Sequence, residues 1–375
     1  MNPFDKLHRG MGVGGWMTNY KRVRFLPEDK AFNLSIGDKE HFDRYLTRWD
    51  MQNIRAMGMD HIRIPFDQVV IEEYSKPYSY REDMLRLLDR CIGWALDEGF
   101  EVILNLHHAI GCYCDFAEGA NLLDDEQLKD RFVTLWAMLE ERYRDLDIIF
   151  ELLNEVTTQD AEAWNALADR SVKVIRAKNP TRRIIIGSVC WNSPDRLKDL
   201  RLYDDEYIAY TFHYYGPHTF THQRTTIDTV QYAYNREIPY PGDHSYYKDF
   251  AVFAGRSPAE FDAYPIVGRE YVEHGLRGAA EFKKNHPDKV LWFGEFGTIR
   301  HANILWRENW MRDVIRFAIE HDIPYSVWNY LSTPYDCNRF SLVTDDERRI
   351  VSPEMLRIIQ GQVYNDIALK TRLWD

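Results

Sequence analysis

Cysteine is scarce: Cys91, Cys112, Cys114, Cys190 and Cys337 are the five in 375 residues. An odd count without framework spacing excludes a disulfide-stapled scaffold, and free thiols in a reducing cytoplasm are the expectation. Long apolar runs are missing as well. No stretch reaches the roughly 18 residues of a membrane span, so no membrane partner is expected. Positive charge is in deficit, with 47 Lys and Arg against 59 Asp and Glu and a net charge of −12. That balance argues against a nucleic-acid partner, whose phosphates need a basic surface, and against acidic membranes. The start, Met1-Asn2-Pro3-Phe4-Asp5-Lys6, has neither a basic stretch nor an apolar one, so no secretory signal is read and a cytoplasmic location is expected. Repeats, low-complexity tracts and linkers are absent too, which leaves a single domain over 1–375.

Aromatic residues, in contrast, are plentiful: 11 Trp, 23 Tyr and 19 Phe. They serve a large core, and beyond it they supply flat faces on which apolar ligand surfaces such as sugar rings stack.

Short, mostly apolar, β-rich runs recur at 12–16, 61–64, 102–106, 148–152, 184–188, 208–212, 290–293 and 325–328. This is the look of parallel strands buried on both faces. Stretches with helical spacing lie between them, at 42–57, 84–96, 128–143, 161–178, 267–284, 303–320 and 353–368. Gly58 and Gly99 stand where helix C-termini belong. No helical period is read between the fifth and sixth strands. Eight such units predict an α/β fold, a single (β/α)8 barrel. The glycine-rich run from Gly10 to Gly15 lacks the G-x-G-x-x-G order of a dinucleotide-binding fingerprint, so no nucleotide cofactor is expected. Strand starts are mostly 24 to 49 residues apart, but 82 separate the sixth from the seventh. The excess, about 216–265, holds six Tyr, four Phe and five Pro, too aromatic for a disordered insertion. On a barrel it would lie on the catalytic face and wall off one side of the site.

Barrel chemistry sits just beyond the C-terminal ends of the strands. Those positions hold Arg63 after strand two, His107 and His108 after strand three, and Asn154-Glu155 after strand four. His213 and Tyr215 follow strand six, Glu295 strand seven and Trp328 strand eight. Two carboxylates, Glu155 and Glu295, thus face each other across the barrel mouth, which is what glycosidic cleavage requires. One protonates the leaving oxygen and the other attacks the anomeric carbon. Glu151, one turn of the pleat below Glu155, reads instead as a buried, paired, structural carboxylate. The histidines also read as hydrogen-bonded structural residues, and Trp16 as core or site wall. The segment from His107 to Cys114 matches no zinc spacing, so no metal is expected, and the chemistry needs no cofactor.

This set resembles glycoside hydrolase family 5. The match runs through Arg63 in Arg-Ile-Pro, His107 with His108, Asn154-Glu155, His213-Tyr214-Tyr215, Glu295 in Gly-Glu-Phe-Gly, and Trp328. It departs at Val156, where the family usually has proline. The resemblance implies a retaining β-glycosidase with Glu295 as nucleophile and Glu155 as acid/base. Arg63, His107, His108, Asn154, His213, Tyr215 and Trp328 would bind an oligosaccharide substrate. It further suggests the family's intracellular bacterial β-mannosidases. The first expectation is therefore an exo-β-mannosidase on short β-1,4-linked oligosaccharides such as Man-β-1,4-GlcNAc. An endo-β-1,4-glucanase or endo-β-mannanase is the alternative, and a catalytically silent carbohydrate-binding barrel a third. Oligomeric state is not read from the sequence.

Overall fold

A computed structural model of the chain describes residues 2–18, 36–113, 120–226, 228–332 and 339–364. Eight parallel strands close into a barrel: β1 Arg9–Gly12, β2 His61–Asp67, β3 Glu101–His108, β4 Ile149–Glu151, β5 Ile184–Gly187, β6 Ile208–His213, β9 Val290–Glu295 and β10 Tyr325–Val327. The remaining pair, β7 Gly242–Asp243 and β8 Ile266–Val267, forms a small antiparallel ladder outside the barrel. The predicted (β/α)8 architecture is thus present.

Alternation along each strand sorts the side chains into layers. The lowest interior layer is apolar, with Ile103, Ile149, Ile185, Ala209 and Trp292, and Phe4 and Leu7 from the N-terminal segment cluster with it. Two residues further along β2, β3 and β4 the interior turns polar, with Arg63, Asn105 and Glu151 all fully buried. The polar layer lies toward the strand C-termini, where loops can complete a site.

Strand one lies earlier than expected, at Arg9–Gly12 and not 12–16. The chain leaves the sheet at the glycine run because it must pass beneath an indole. A Cβ on Gly14 would stand 2.2 Å from Trp328 Cη2. The helix expected at 42–57 is two helices, Ile36–Arg44 and Arg48–Ala56. Asp50 breaks the run, because its carboxylate accepts from both the Thr47 N–H and the Thr47 hydroxyl at 2.8 Å. The one expected at 267–284 is also split, into Arg269–Gly275 and Arg277–Asn285. Gly275 ends the first half, and a Cβ there would meet the Tyr214 hydroxyl at 2.5 Å. Gly58 and Gly99 take positive φ after their helices, as C-terminal glycines should. Between β5 and β6 there is a 3₁₀ turn, Pro194–Asp199, where no helical period was read. The last helix is Pro353–Ile359, and the end of the expected 353–368 segment falls outside the described residues.

The aromatic insertion is folded. Tyr240, Tyr247, Phe250 and Phe261 are buried within it. It is anchored to helix Ile304–Glu320, where Tyr240 donates to Asp313 Oδ2 at 2.7 Å and Trp310 Nε1 donates to the Gly216 carbonyl at 2.9 Å. Among the described residues, no helix is long and apolar enough to cross a membrane. Cys91, Cys112 and Cys190 are free thiols, while Cys114 and Cys337 lie outside the described residues.

Candidate active site

Arg63 organises the floor of the barrel mouth. Its Nε and Nη2 donate to Glu151 at 2.7 and 2.9 Å, Nη1 donates to Glu295 Oε2 at 2.6 Å, and Nη2 also donates to Asn154 Oδ1 at 2.7 Å. Burial opposes the guanidinium charge, but the two carboxylates outweigh it and hold Arg63 firmly protonated. Glu151 is fully buried and bidentate on Arg63, the structural role expected of it. Because Asn154 Oδ1 accepts from Arg63, the orientation of its amide is fixed, with the oxygen toward the guanidinium.

Glu295 takes its second hydrogen bond from the Tyr215 hydroxyl, 2.7 Å from Oε1. Arg63 and Tyr215 thus each donate to one oxygen of this carboxylate and favour its ionised form. Burial nevertheless raises the Glu295 carboxyl, with the Glu155 charge adding to it against His213, Arg63 and Tyr215. Tyr215 is itself pushed well up by burial and the Glu295 charge, so it remains a phenol that donates. A bulge does the placing. The β6–β9 register shifts between Phe212 and His213 and sets His213 opposite Glu295.

His213 reaches Glu155 through Nδ1, 2.8 Å from Oε1. Glu155, His213 and Glu295 each bring one such atom within 4.8 Å of the other two. One oxygen of Glu155 and one of Glu295 thus lie within 4.8 Å of each other, in line with the roughly 5–5.5 Å carboxyl spacing of retaining enzymes.

Trp328 is half-buried and stacks on His107 with ring centres 5.4 Å apart and planes 7° apart. Arg63 lies 5.9 Å from the same indole. His107 is tied to Asn105 Oδ1 at 3.1 Å. His108 is 2% exposed, bonded to Asp67 Oδ1 at 2.7 Å, and set edge-on to His107. The cause is the β2–β3 register shift between Phe66 and Asp67, which pairs Asp67 with His108. His108 thus supports His107 from behind. Trp16 is core, 2% exposed, with Nε1 donating to the Phe42 carbonyl at 2.7 Å.

The residues sequence reasoning missed lie after β5. Trp191 is 45% exposed on the mouth, and the adjacent Asn192 is fully buried with its amide 3.2 Å from His213 Nε2. The only local signal was a tryptophan directly beyond an apolar run.

Three histidines near the mouth, His107, His213 and His222, are held neutral. Burial lowers all three, His213 to about 4 and the other two well below their ordinary range. The folded protein therefore refuses protons that the unfolded chain accepts below about pH 6.5. Stability is lost as pH falls through that value toward the folded pKa. Each group removes about 2 kcal/mol between pH 6.5 and 5. Urea midpoints at pH 7 and pH 5 measure this. A clear drop is expected, and equal midpoints would contradict the buried, neutral assignment.

Comparison with known proteins places these features among relatives. The model of the family described as "Cellulase (glycosyl hydrolase family 5)" matches residues 28–333. Endoglucanase C of Acetivibrio thermocellus is 34% identical over 353 residues, covering 93% of this chain and 97% of the relative. Cellodextrinase A of Ruminococcus flavefaciens is 31% identical over 222 residues, covering 58% and 61%. Among solved structures, the endoglucanase Cel5A of Thermotoga maritima superposes with a TM-score of 0.72 at 23% identity, covering 96% of this chain and 100% of that one.

Proposed function

This chain belongs to glycosyl hydrolase family 5 and is a glycoside hydrolase, and on that premise we propose that it is a retaining endo-β-1,4-glucanase. The observation that carries the substrate class is the match to endoglucanase C along nearly the whole of both chains. It favours the glucanase alternative over the exo-β-mannosidase expected first.

The geometry supports double displacement. Glu295 attacks the anomeric carbon while Glu155 gives its proton to the departing glycosidic oxygen, and a covalent glycosyl-enzyme results. Glu155 then takes a proton from water as that water attacks the same carbon, and Glu295 is released. Arg63 and Tyr215 hold the two Glu295 oxygens at 2.6 and 2.7 Å and fix its plane for attack. The Asn154 amide donates to the 2-hydroxyl as charge develops on the ring. Trp328, backed by His107 and Gly14, walls the sugar at the point of cleavage. Trp191, exposed on the loop after β5 and next in sequence to the Asn192 that meets His213, offers bound sugars an aromatic face.

The test is the cleavage pattern. With cellopentaose and with soluble carboxymethyl cellulose, internal cleavage is expected, with viscosity falling ahead of sugar release. Single mannose units released from Man-β-1,4-GlcNAc, with cellopentaose untouched, would overturn the proposal and restore the exo-β-mannosidase.

A further inference from the structure

The loop after β5 is held in an unfavourable conformation. Cys190, Trp191 and Asn192 are three consecutive residues with φ of 54°, 58° and 53°, none of them glycine. Each costs roughly 1–2 kcal/mol, so the surrounding contacts must impose this shape. The contacts are visible. The Cys190 N–H donates to the Thr158 carbonyl and the Trp191 N–H to the Val156 carbonyl, each at 3.1 Å. Ser188 Oγ closes the loop on the Ser193 carbonyl at 2.8 Å. Val156 is the next residue after Glu155, whose own φ is 35°, and Thr158 follows two further on. The strained loop is therefore clasped to the segment that carries the acid/base.

The side chain this delivers is Asn192. It is fully buried, with Nδ2 3.2 Å from His213 Nε2. Its Oδ1 faces the bare Cα of Gly187, where a Cβ would stand 2.4 Å away. Among the described residues Asn192 Oδ1 is buried there without a hydrogen-bond partner, and a reversed amide would set N–H against the Gly187 hydrogen in its place. Gly294 clears the other side, since a Cβ there would lie 3.1 Å from His213 Nε2. His213 is neutral, as above, and so has one N–H for two partners.

We propose that Asn192 is a positioning residue that selects the tautomer of His213 and thereby decides which oxygen of Glu155 carries the catalytic proton. The Asn192 amide donates to Nε2, so the imidazole proton sits on Nδ1 and is donated to Glu155 Oε1. Oε1 then serves as an acceptor in both halves of the reaction, and the mobile proton belongs on Oε2. In the first half the Oε2 proton passes to the glycosidic oxygen as the bond to the anomeric carbon breaks. In the second half Oε2 takes the proton of the attacking water. The His213 proton stays on Nδ1 throughout. With the opposite tautomer Glu155 would have to donate to Nδ1, and its proton would be withheld from the substrate.

The inference rests on Glu155 as acid/base, but its first test is independent of turnover. Long-range ¹H–¹⁵N spectra of the histidine-labelled wild-type protein at pH 7 are expected to show His213 as the Nδ1–H tautomer. An Nε2–H tautomer would overturn the proposal whatever the enzyme hydrolyses. The second test is Asn192→Asp, which replaces the donor by an acceptor and draws a proton to Nε2. Cellopentaose hydrolysis is expected to fall roughly 10²-fold, within the ~10²–10⁴ that general acid catalysis supplies. Release of dinitrophenolate from 2,4-dinitrophenyl β-cellobioside in the pre-steady-state burst, which needs no proton, is expected to hold within about twofold of wild type. Asn192→Ala gives the same split in milder form. Equal losses on both substrates would mean that Asn192 only supports the fold, and no loss on either would remove it from the mechanism.

Discussion

Glu295→Gln is expected to lower kcat on cello-oligosaccharides by on the order of 10⁵-fold, the scale seen when an enzyme loses its nucleophile. The amide keeps the shape of the carboxylate but cannot form the glycosyl ester. The same substitution is expected to leave stability unchanged or higher. Burial raises the Glu295 carboxyl, so the folded state binds that proton more tightly than the unfolded chain does. Ionised Glu295 therefore costs folding free energy at neutral pH, and the uncharged amide removes that cost. Arg63 keeps its bidentate partner Glu151, so no buried charge is stranded. Steady-state kinetics and a thermal melt on one preparation check both halves. Activity within about tenfold of wild type would remove Glu295 as nucleophile. A large fall in Tm would mean that the Arg63–Glu295 contact is mainly structural.

Glu155→Ala is expected to separate substrates by how much help their leaving group needs. Cellopentaose should lose about 10³-fold, since a sugar alkoxide departs poorly without a proton. The dinitrophenyl cellobioside should still form the glycosyl-enzyme rapidly and then stall, because no base remains to activate water. Azide should restore turnover and yield a β-glycosyl azide, as it needs no deprotonation and enters the space the carboxylate leaves. Glu155 is placed for both roles by its 2.8 Å contact with His213 and its closeness to Glu295. Equal losses on both substrates, or indifference to azide, would contradict the assignment.

What the sequence disclosed and what it concealed follow from the same physics. Arg63, Asn154, Glu155, His213 and Glu295 were legible because a barrel strand fixes the direction of its terminal side chains and the apolar runs located the strands. Pairing geometry was not. The Phe66/Asp67 shift pairs His108 with Asp67, and no local pattern announces it. Strand one was misplaced because Val13 and Trp16 are buried outside regular pairing, where the glycines yield space to Trp328. The break at Thr47 is a side-chain contest with the backbone that hydrophobic spacing does not record. Asn192 was invisible for a stronger reason. Three left-handed residues that are not glycine run against local preference, and only tertiary contacts impose them.

The central claim, retention through a covalent intermediate on Glu295, is tested most directly by mapping the residue that becomes glycosylated. The protein is treated with 2,4-dinitrophenyl 2-deoxy-2-fluoro-β-cellobioside, digested, and its peptides are sequenced by mass spectrometry. One fluorocellobiosyl group on Glu295 is the expected result. A label on Glu155 or Glu151, or an unlabelled protein that releases products of inverted configuration, would contradict it.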